Sequence, residues 1–406
     1  NWDFDYDLVE LYLTSMEHVS IDVIEIGFRS PPKSSFMGPY LYSLDEHLES
    51  LKLPKNILIG VMINAKEYLE SPENPLEMIN KMFQSRDNTP VGLVRIAINF
   101  DHVLEAEVLA GQLKKLGYQV GLNMMQSHGK EEQQYKQTAR QIAEWGCVDV
   151  LYFADSLGSM DPSQIKFICN ALKSVWEEPL GIHTHNNKGF ALVNSLTALD
   201  EGVTWCDATI TGMGRGAGNV ATETLLMEAV YLGLHPGNAQ TLINCIEHFE
   251  ALKQFHKWGP NPHYHYAANN SIHPTFVQTL LNDPRYKSEE INVILNSLAE
   301  KPSTSFSMSA LRDSIYRNKT ESTRGTWNAT GWLEGKNVLF VAAGPSVKKY
   351  RDAIMNYIKH HKPTVLFLNI NEHIPASLGD ATIVAHESRA LFDVKSYNQL
   401  GHPLIM

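Results

Sequence analysis

From the amino end to about residue 235, short apolar runs alternate with longer amphipathic stretches, and that alternation constrains the fold more than any other feature. Seven runs lie at 21–28, 57–63, 93–99, 119–125, 148–155, 180–185 and 205–210, and each ends in polar residues or glycine. Their length and their content of Val, Ile and aromatic residues read as strands. Helical spacing fills most of the gaps, as at 101–116, 131–145, 162–176 and 189–201. Strands that alternate with helices pair in parallel through crossovers. The pattern predicts an α/β fold, a TIM (β/α)8 barrel that lacks one strand.

Residues 4–16 read as an amphipathic helix with an Asp-rich first turn. In a barrel that helix follows a strand, so the first strand is expected upstream of Asn1. A seven-stranded or open doubly wound sheet is the alternative. The barrel is assigned to 1–235 and a helical extension to 236–330, with helices at 239–256 and 288–298 and a polar loop at 260–274. After a linker at 326–335, a partial Rossmann-like βαβ segment occupies 335–406. It has a strand at 338–341, a turn at Gly344-Pro345-Ser346, a helix at 347–359 and a strand at 364–370, and the chain stops before a full sheet is expected.

Composition narrows the function. With 43% hydrophobic residues and a formal net charge of −11 over 406 residues, the chain buries a large core but presents no basic surface. Nucleic acid and anionic membranes are therefore not expected as partners. Cys147, Cys169, Cys206 and Cys245 form no C-x-x-C pair and read as reduced core residues, which points to the cytoplasm. No apolar run approaches the roughly 18 residues of a membrane span. A small-molecule substrate is expected, with a homodimer as the candidate assembly.

The sharpest motif is Gly181-Ile182-His183-Thr184-His185-Asn186-Asn187. Side chains alternate along a strand, so His183 and His185 share a face, and the carboxyl end of a barrel strand is where active sites of this fold lie. Two adjacent imidazoles form half of a metal site; a hydrogen-bonded structural pair is the alternative. The next strand runs into Thr211-Gly212-Met213-Gly214-Arg215-Gly216-Ala217-Gly218-Asn219, a glycine-rich loop suited to cradling a ligand. The Asn219 amide oxygen can complete a metal shell or cap a helix over 220–233. Other strand ends carry Glu25 and Arg29, Asn123 with Ser127 and His128 beyond it, and Asp155-Ser156. These converge on one mouth.

Taken together, Ile24-Glu25-Ile26-Gly27, Leu122–His128, Asp155–Met160, the HTHNN run and the GAGN loop resemble the DRE-TIM metallolyase superfamily, in its 4-hydroxy-2-oxovalerate aldolase-like branch. The resemblance implies a divalent-metal-dependent aldolase that cleaves a 4-hydroxy-2-oxo acid to pyruvate and an aldehyde. It carries metal ligation onto His183, His185 and Asn219, and Mn²⁺ suits that set, with Mg²⁺, Co²⁺ or Zn²⁺ as alternatives. The family's D-x-x-x-R-D-G stretch, with its ligating Asp and enolate-stabilising Arg, is not in the sequence and is expected before Asn1. Residues 1–406 alone are accordingly expected to bind Mn²⁺ poorly and to need an upstream Asp and Arg for turnover.

On the same reading His128, or a histidine upstream of Asn1, is the candidate base for the 4-hydroxyl proton; Tyr266 returns a proton or belongs to an aromatic loop that seals the barrel; and Glu25 stands with them as a catalytic candidate. Asp155, Arg29 and Asn123 are the substrate-binding candidates. Arg29 and Arg215 are each read either as a carboxylate holder or as half of a surface ion pair. Competing readings are a Claisen-type acyl-CoA enzyme of the same superfamily and a non-catalytic scaffold whose tail binds a nucleotide.

Overall fold

In the computed structural model, Asp5 accepts the backbone N–H groups of Asp7 and Leu8 and starts α1 (Tyr6–His18). Val9, Leu13 and Met16 follow at helical spacing and bury one face. Ser20, in left-handed backbone at φ 59°, turns the chain toward the first strand. The structure describes residues 2–283, 286–300, 303–317, 328, 330–384, 397 and 399–405. Two units divide it, Asn1–Gln278 and Thr279–Met406. The helical stretch at 236–330 is thus shared between them.

In the first unit, β1 (Val23–Phe28), β2 (Leu58–Asn64), β3 (Leu93–Asn99), β4 (Gln119–Met125), β5 (Val150–Asp155), β6 (Leu180–Thr184) and β7 (Trp205–Cys206) form one parallel sheet in chain order. The fold is TIM-barrel-like, and β1 and β7 are its outer strands, not paired with each other among the described residues. Crossovers run through α2 (Glu107–Lys115), α3 (Glu132–Trp145), α4 (Pro162–Lys173) and α5 (Ala191–Asp200), and α6 (Thr222–Tyr231) follows β7. Every residue of β5 is buried, as expected where helices cover one face of a parallel sheet and side chains fill the other. Val61, Ile96, Val120, Leu151 and Ile168 belong to one continuous core.

Two local expectations need correction. The run 205–210 leaves the sheet after Cys206, because Thr209 pairs with Ala221 and Thr211 turns at φ 52°. The stretch at 260–274, expected to be a loop, contains a helix. After α7 (Ile243–His256), the side chain of Asn261 accepts the N–H groups of His263 and Tyr264 and starts α8 (Pro262–Asn269), with Pro262 in the first turn. Asn and Pro, read as loop residues, here serve as a helix start.

The second unit contains helices at Ser288–Ala299 and Met308–Arg317. It also holds a four-stranded parallel sheet, β8 (Val338–Ala342), β9 (Thr364–Leu368), β10 (Ala381–Ile383) and β11 (Leu404–Ile405), in sequential order. The sequence predicted only the βαβ beginning of this sheet. β10 and β11, with three and two residues, are too short for a period-two pattern to register. Helices Pro345–Lys349 and Arg351–His361 replace the single helix expected at 347–359. The expected linker at 326–335 lies partly outside the described residues.

Candidate active site

The barrel interior is organised around Arg95. Gly121 on β4 faces it, since a Cβ there would meet Arg95 Cγ at 3.3 Å and Tyr152 Cε2 at 3.6 Å. Arg95 is 5% exposed, and its Nε and Nη2 donate to Glu25 on β1 at 2.7 and 2.9 Å. Nη1 donates to Asp207, one residue past β7. The guanidinium also lies over the Tyr152 ring, 4.8 Å from its centroid. Burial opposes the charge of Arg95, but Asp207 and Glu25 hold its pKa well above the ordinary value. Burial also opposes ionisation of Asp207, yet Arg95 and then His183 pull its carboxyl down to about 2. For Glu25 burial wins over Arg95, and its pKa is raised.

Asp207 Oδ2 meets His183 Nδ1 at 2.8 Å. An ionised carboxylate only accepts, so Nδ1 carries the hydrogen, and in the neutral ring Nε2 holds the lone pair. The His183 and His185 rings lie edge to face with centroids 5.0 Å apart. Burial, and next to it His183 and Arg215, push His185 well below the usual imidazole range, so it is neutral. His185 pairs with Asn219 across a bridge, and Asn186 N donates to Gly218 O at 2.9 Å. Asn219 does not cap α6, which begins at Thr222. Its Nδ2 donates to Met213 O at 3.0 Å, while its buried Oδ1 has no partner. Gly218 makes this close packing possible: its φ is 76°, and any Cβ would run into the carbonyl of Gly212.

Asn123 lies on the same face of β4 as Gly121, buried, with Oδ1 unpartnered. His128 sits half-buried in the turn after β4; burial and then Lys130 lower its pKa. Arg29 does not join the cluster. It is fully buried and donates to Ser43 O at 2.7 Å and Asp45 at 2.6 Å, with its guanidinium 5.0 Å from the Phe83 ring centroid. Asp155 closes the turn after β5 by accepting Ser159 N at 2.9 Å and Met160 N at 3.1 Å. Burial raises its carboxyl to about 6. Tyr266 and His265, on α8, line a cleft of about 560 Å³ with Asn187 and Lys188. Tyr264 packs against the glycine loop, 3.0 Å from where a Gly216 Cβ would stand.

Sequence reading passed over Arg95 and Asp207. A charged residue inside the apolar run Leu93-Val94-Arg95-Ile96-Ala97-Ile98 and an acid directly after Trp205-Cys206 were the available signals. For a metal ion, His183, His185 and Asn219 offer neutral donors, and the unpartnered Asn219 oxygen fits that use. Among the described residues, no third His, Cys, Asp or Glu is placed to share an ion with the two histidines.

An all-parallel TIM-barrel-like sheet with two histidines at the end of β6 beside a glycine loop defines a class, and residues 95–249 match the model of the HMGL-like family. The chain belongs to that family. It is 30% identical to the N-terminal domain of a Bacteroides vulgatus protein provisionally described as an aldolase, with a TM-score of 0.61 over 69% of this chain and 91% of that one. It is also 37% identical over 150 residues to the 4-hydroxy-2-oxovalerate aldolase of Brevibacillus brevis, covering 36% of this chain and 43% of the relative. For the enzyme of that name from Carboxydothermus hydrogenoformans the figures are 34% over 201 residues, 49% and 54%. The chain spans about half the length of the curated relatives it matches. The HMG-CoA lyase of Bacillus subtilis, 16% identical with a TM-score of 0.52 over 64% of this chain and 90% of that one, shares the fold. No helix among the described residues is long and apolar enough to cross a membrane.

Proposed function

We propose that the protein is a divalent-metal-dependent aldolase that cleaves a 4-hydroxy-2-oxo acid to pyruvate and an aldehyde. The observation that carries the reading is the His183–His185 pair at the end of β6, with His183 Nδ1 engaged by Asp207. A carboxylate on the far nitrogen of a ligating histidine is the usual way to fix its tautomer and raise its basicity. His183, His185 and Asn219 would hold the ion, with Mn²⁺ the preferred occupant for imidazole and amide-oxygen donors. A bound ion supplies Lewis acidity that polarises the 2-oxo group of the substrate.

The chain's own groups carry the proton chemistry. His128, kept neutral by burial and Lys130, accepts the proton of the 4-hydroxyl group as the carbon–carbon bond opens. Tyr266, on the wall of the adjoining cleft, returns a proton to the pyruvate carbon. Asn123 offers a carboxamide oxygen toward the interior. Glu25 acts through Arg95 to hold Asp207, and Arg29 and Asp155 support the loops of the mouth.

The test is incubation of full-length protein with Mn²⁺ and a series of 4-hydroxy-2-oxo acids, following pyruvate. His183→Ala is expected to lose Mn²⁺ binding and cleavage together. Cleavage at the parent rate after removal of all divalent metal would sink the metal mechanism. Absence of pyruvate across the series would sink the aldolase reading.

A further inference from the structure

Of the arginines at or near the mouth, two are already committed. Arg29 is taken up by Ser43, Asp45 and the Phe83 ring, and Arg95 by Glu25, Asp207 and the Tyr152 ring. Arg215 is different. Its side chain reaches solvent and makes no hydrogen bond or ion pair among the described residues. The groups that interact with it are Tyr264, His185 and His273, and none is a carboxylate. In a chain with 45 acidic and 34 basic residues, an exposed arginine without an acid beside it among the described residues is an unmatched positive charge.

The loop that carries it is held on several sides. Gly218 N donates to Arg215 O at 3.1 Å, Gly259 N to Gly216 O at 3.2 Å, and Trp258 Nε1 to Thr211 O at 3.1 Å. Gly216, at φ 65°, packs against Tyr264 and Pro274. Four residues on, Asn219 is bridged to His185. Arg215 is therefore fixed at its backbone beside the histidine pair, while its guanidinium has no partner among the described residues. Within the site, two carboxylates, Glu25 and Asp207, face the one guanidinium of Arg95. Arg95 is thereby occupied, and an incoming anion finds no free guanidinium there.

We propose that Arg215 recognises the carboxylate of the 2-oxo acid substrate, receiving it in the fork of its guanidinium at the mouth beside His185. The inference rests on the function proposed above and names the residue that selects an acid over a neutral ketone. A planar guanidinium matches a carboxylate through two parallel N–H donors, which an ammonium does not reproduce.

The test uses full-length protein with Mn²⁺ and compares calorimetric binding of pyruvate with that of pyruvamide, its uncharged isostere. A charge-assisted hydrogen-bond pair corresponds to a preference for pyruvate of roughly 10–100-fold. Arg215→Gln is expected to bring that ratio close to one with an unchanged unfolding midpoint, and Arg215→Lys to restore part of it. In cleavage, Arg215→Gln raises KM by a similar factor with a smaller change in kcat. A parent that does not prefer pyruvate, or an Arg215→Gln variant that keeps the preference, overturns the assignment. Cleavage by the parent with KM unmoved in Arg215→Gln removes Arg215 from this role and leaves the aldolase standing. A preference lost in Arg215→Gln without cleavage by the parent keeps Arg215 and removes the aldolase.

Discussion

Asp207 Oδ2 lies 2.8 Å from His183 Nδ1 and is also the acceptor of Arg95 Nη1, so one carboxylate oxygen links the barrel's buried guanidinium to the first histidine of the pair proposed to hold the metal. Asp207→Asn keeps the volume but no longer forces the hydrogen onto Nδ1. Loss of such a partner typically costs 10–100-fold in metal affinity. We expect a drop of that size in Mn²⁺ affinity, read by titration of full-length protein. Unchanged affinity would separate Asp207 from metal binding.

Arg95 is the shared counter-charge of two part-buried carboxylates. Arg95→Met leaves Glu25 and Asp207 without a counter-charge, a loss of about 3–5 kcal/mol in unfolding free energy. Adding Glu25→Gln removes one of the stranded charges and should recover part of the loss. A double-mutant cycle in urea then shows strong non-additivity. Independent, additive effects would contradict the network.

Asp155 makes stability depend on pH. Its folded carboxyl is raised to about 6, above the ordinary 3.8, so the native state holds the proton more tightly than the unfolded chain. The stabilisation is complete below about pH 4 and is lost as pH rises through about 6, amounting to roughly 3 kcal/mol. Asp155→Asn keeps an acceptor for one amide and should flatten that part of the profile. Urea midpoints between pH 4 and 7 for parent and variant measure it, and parallel profiles would refute it.

Two glycines should respond in opposite directions to alanine. Gly218→Ala forces a Cβ against the Gly212 carbonyl at φ 76° and should destabilise by about 2 kcal/mol or more, displacing Asn219 as well. Gly111, inside α2, has no atom within 4 Å of its would-be Cβ, so Gly111→Ala should stabilise by about 0.5–1 kcal/mol. Thermal unfolding of the two variants beside the parent reads both. A neutral Gly218→Ala would mean that the loop relaxes around the added methyl.

Local pattern was enough to foresee the seven strands and the shared face of His183 and His185. Alternation of side chains is a property of neighbouring residues, and each run carries it by itself. The same locality explains what was missed. Arg95 meets Glu25 across 70 residues and Asp207 across 112, and no spacing rule connects positions that far apart. Arg29 and Arg215 looked alike as strand-end and loop cations; only packing engaged one with Asp45 and left the other without a partner among the described residues. Whether Asn261-Pro262 opened a loop or a helix, and the contact of Tyr264 with the glycine loop, likewise depended on the surface against which the segment folded. Sequence determined the elements and their facing, because those follow from bonds and periods within a few residues. The tertiary structure decided which charges meet, because burial makes an ion pair worth forming only after distant strands have closed around it.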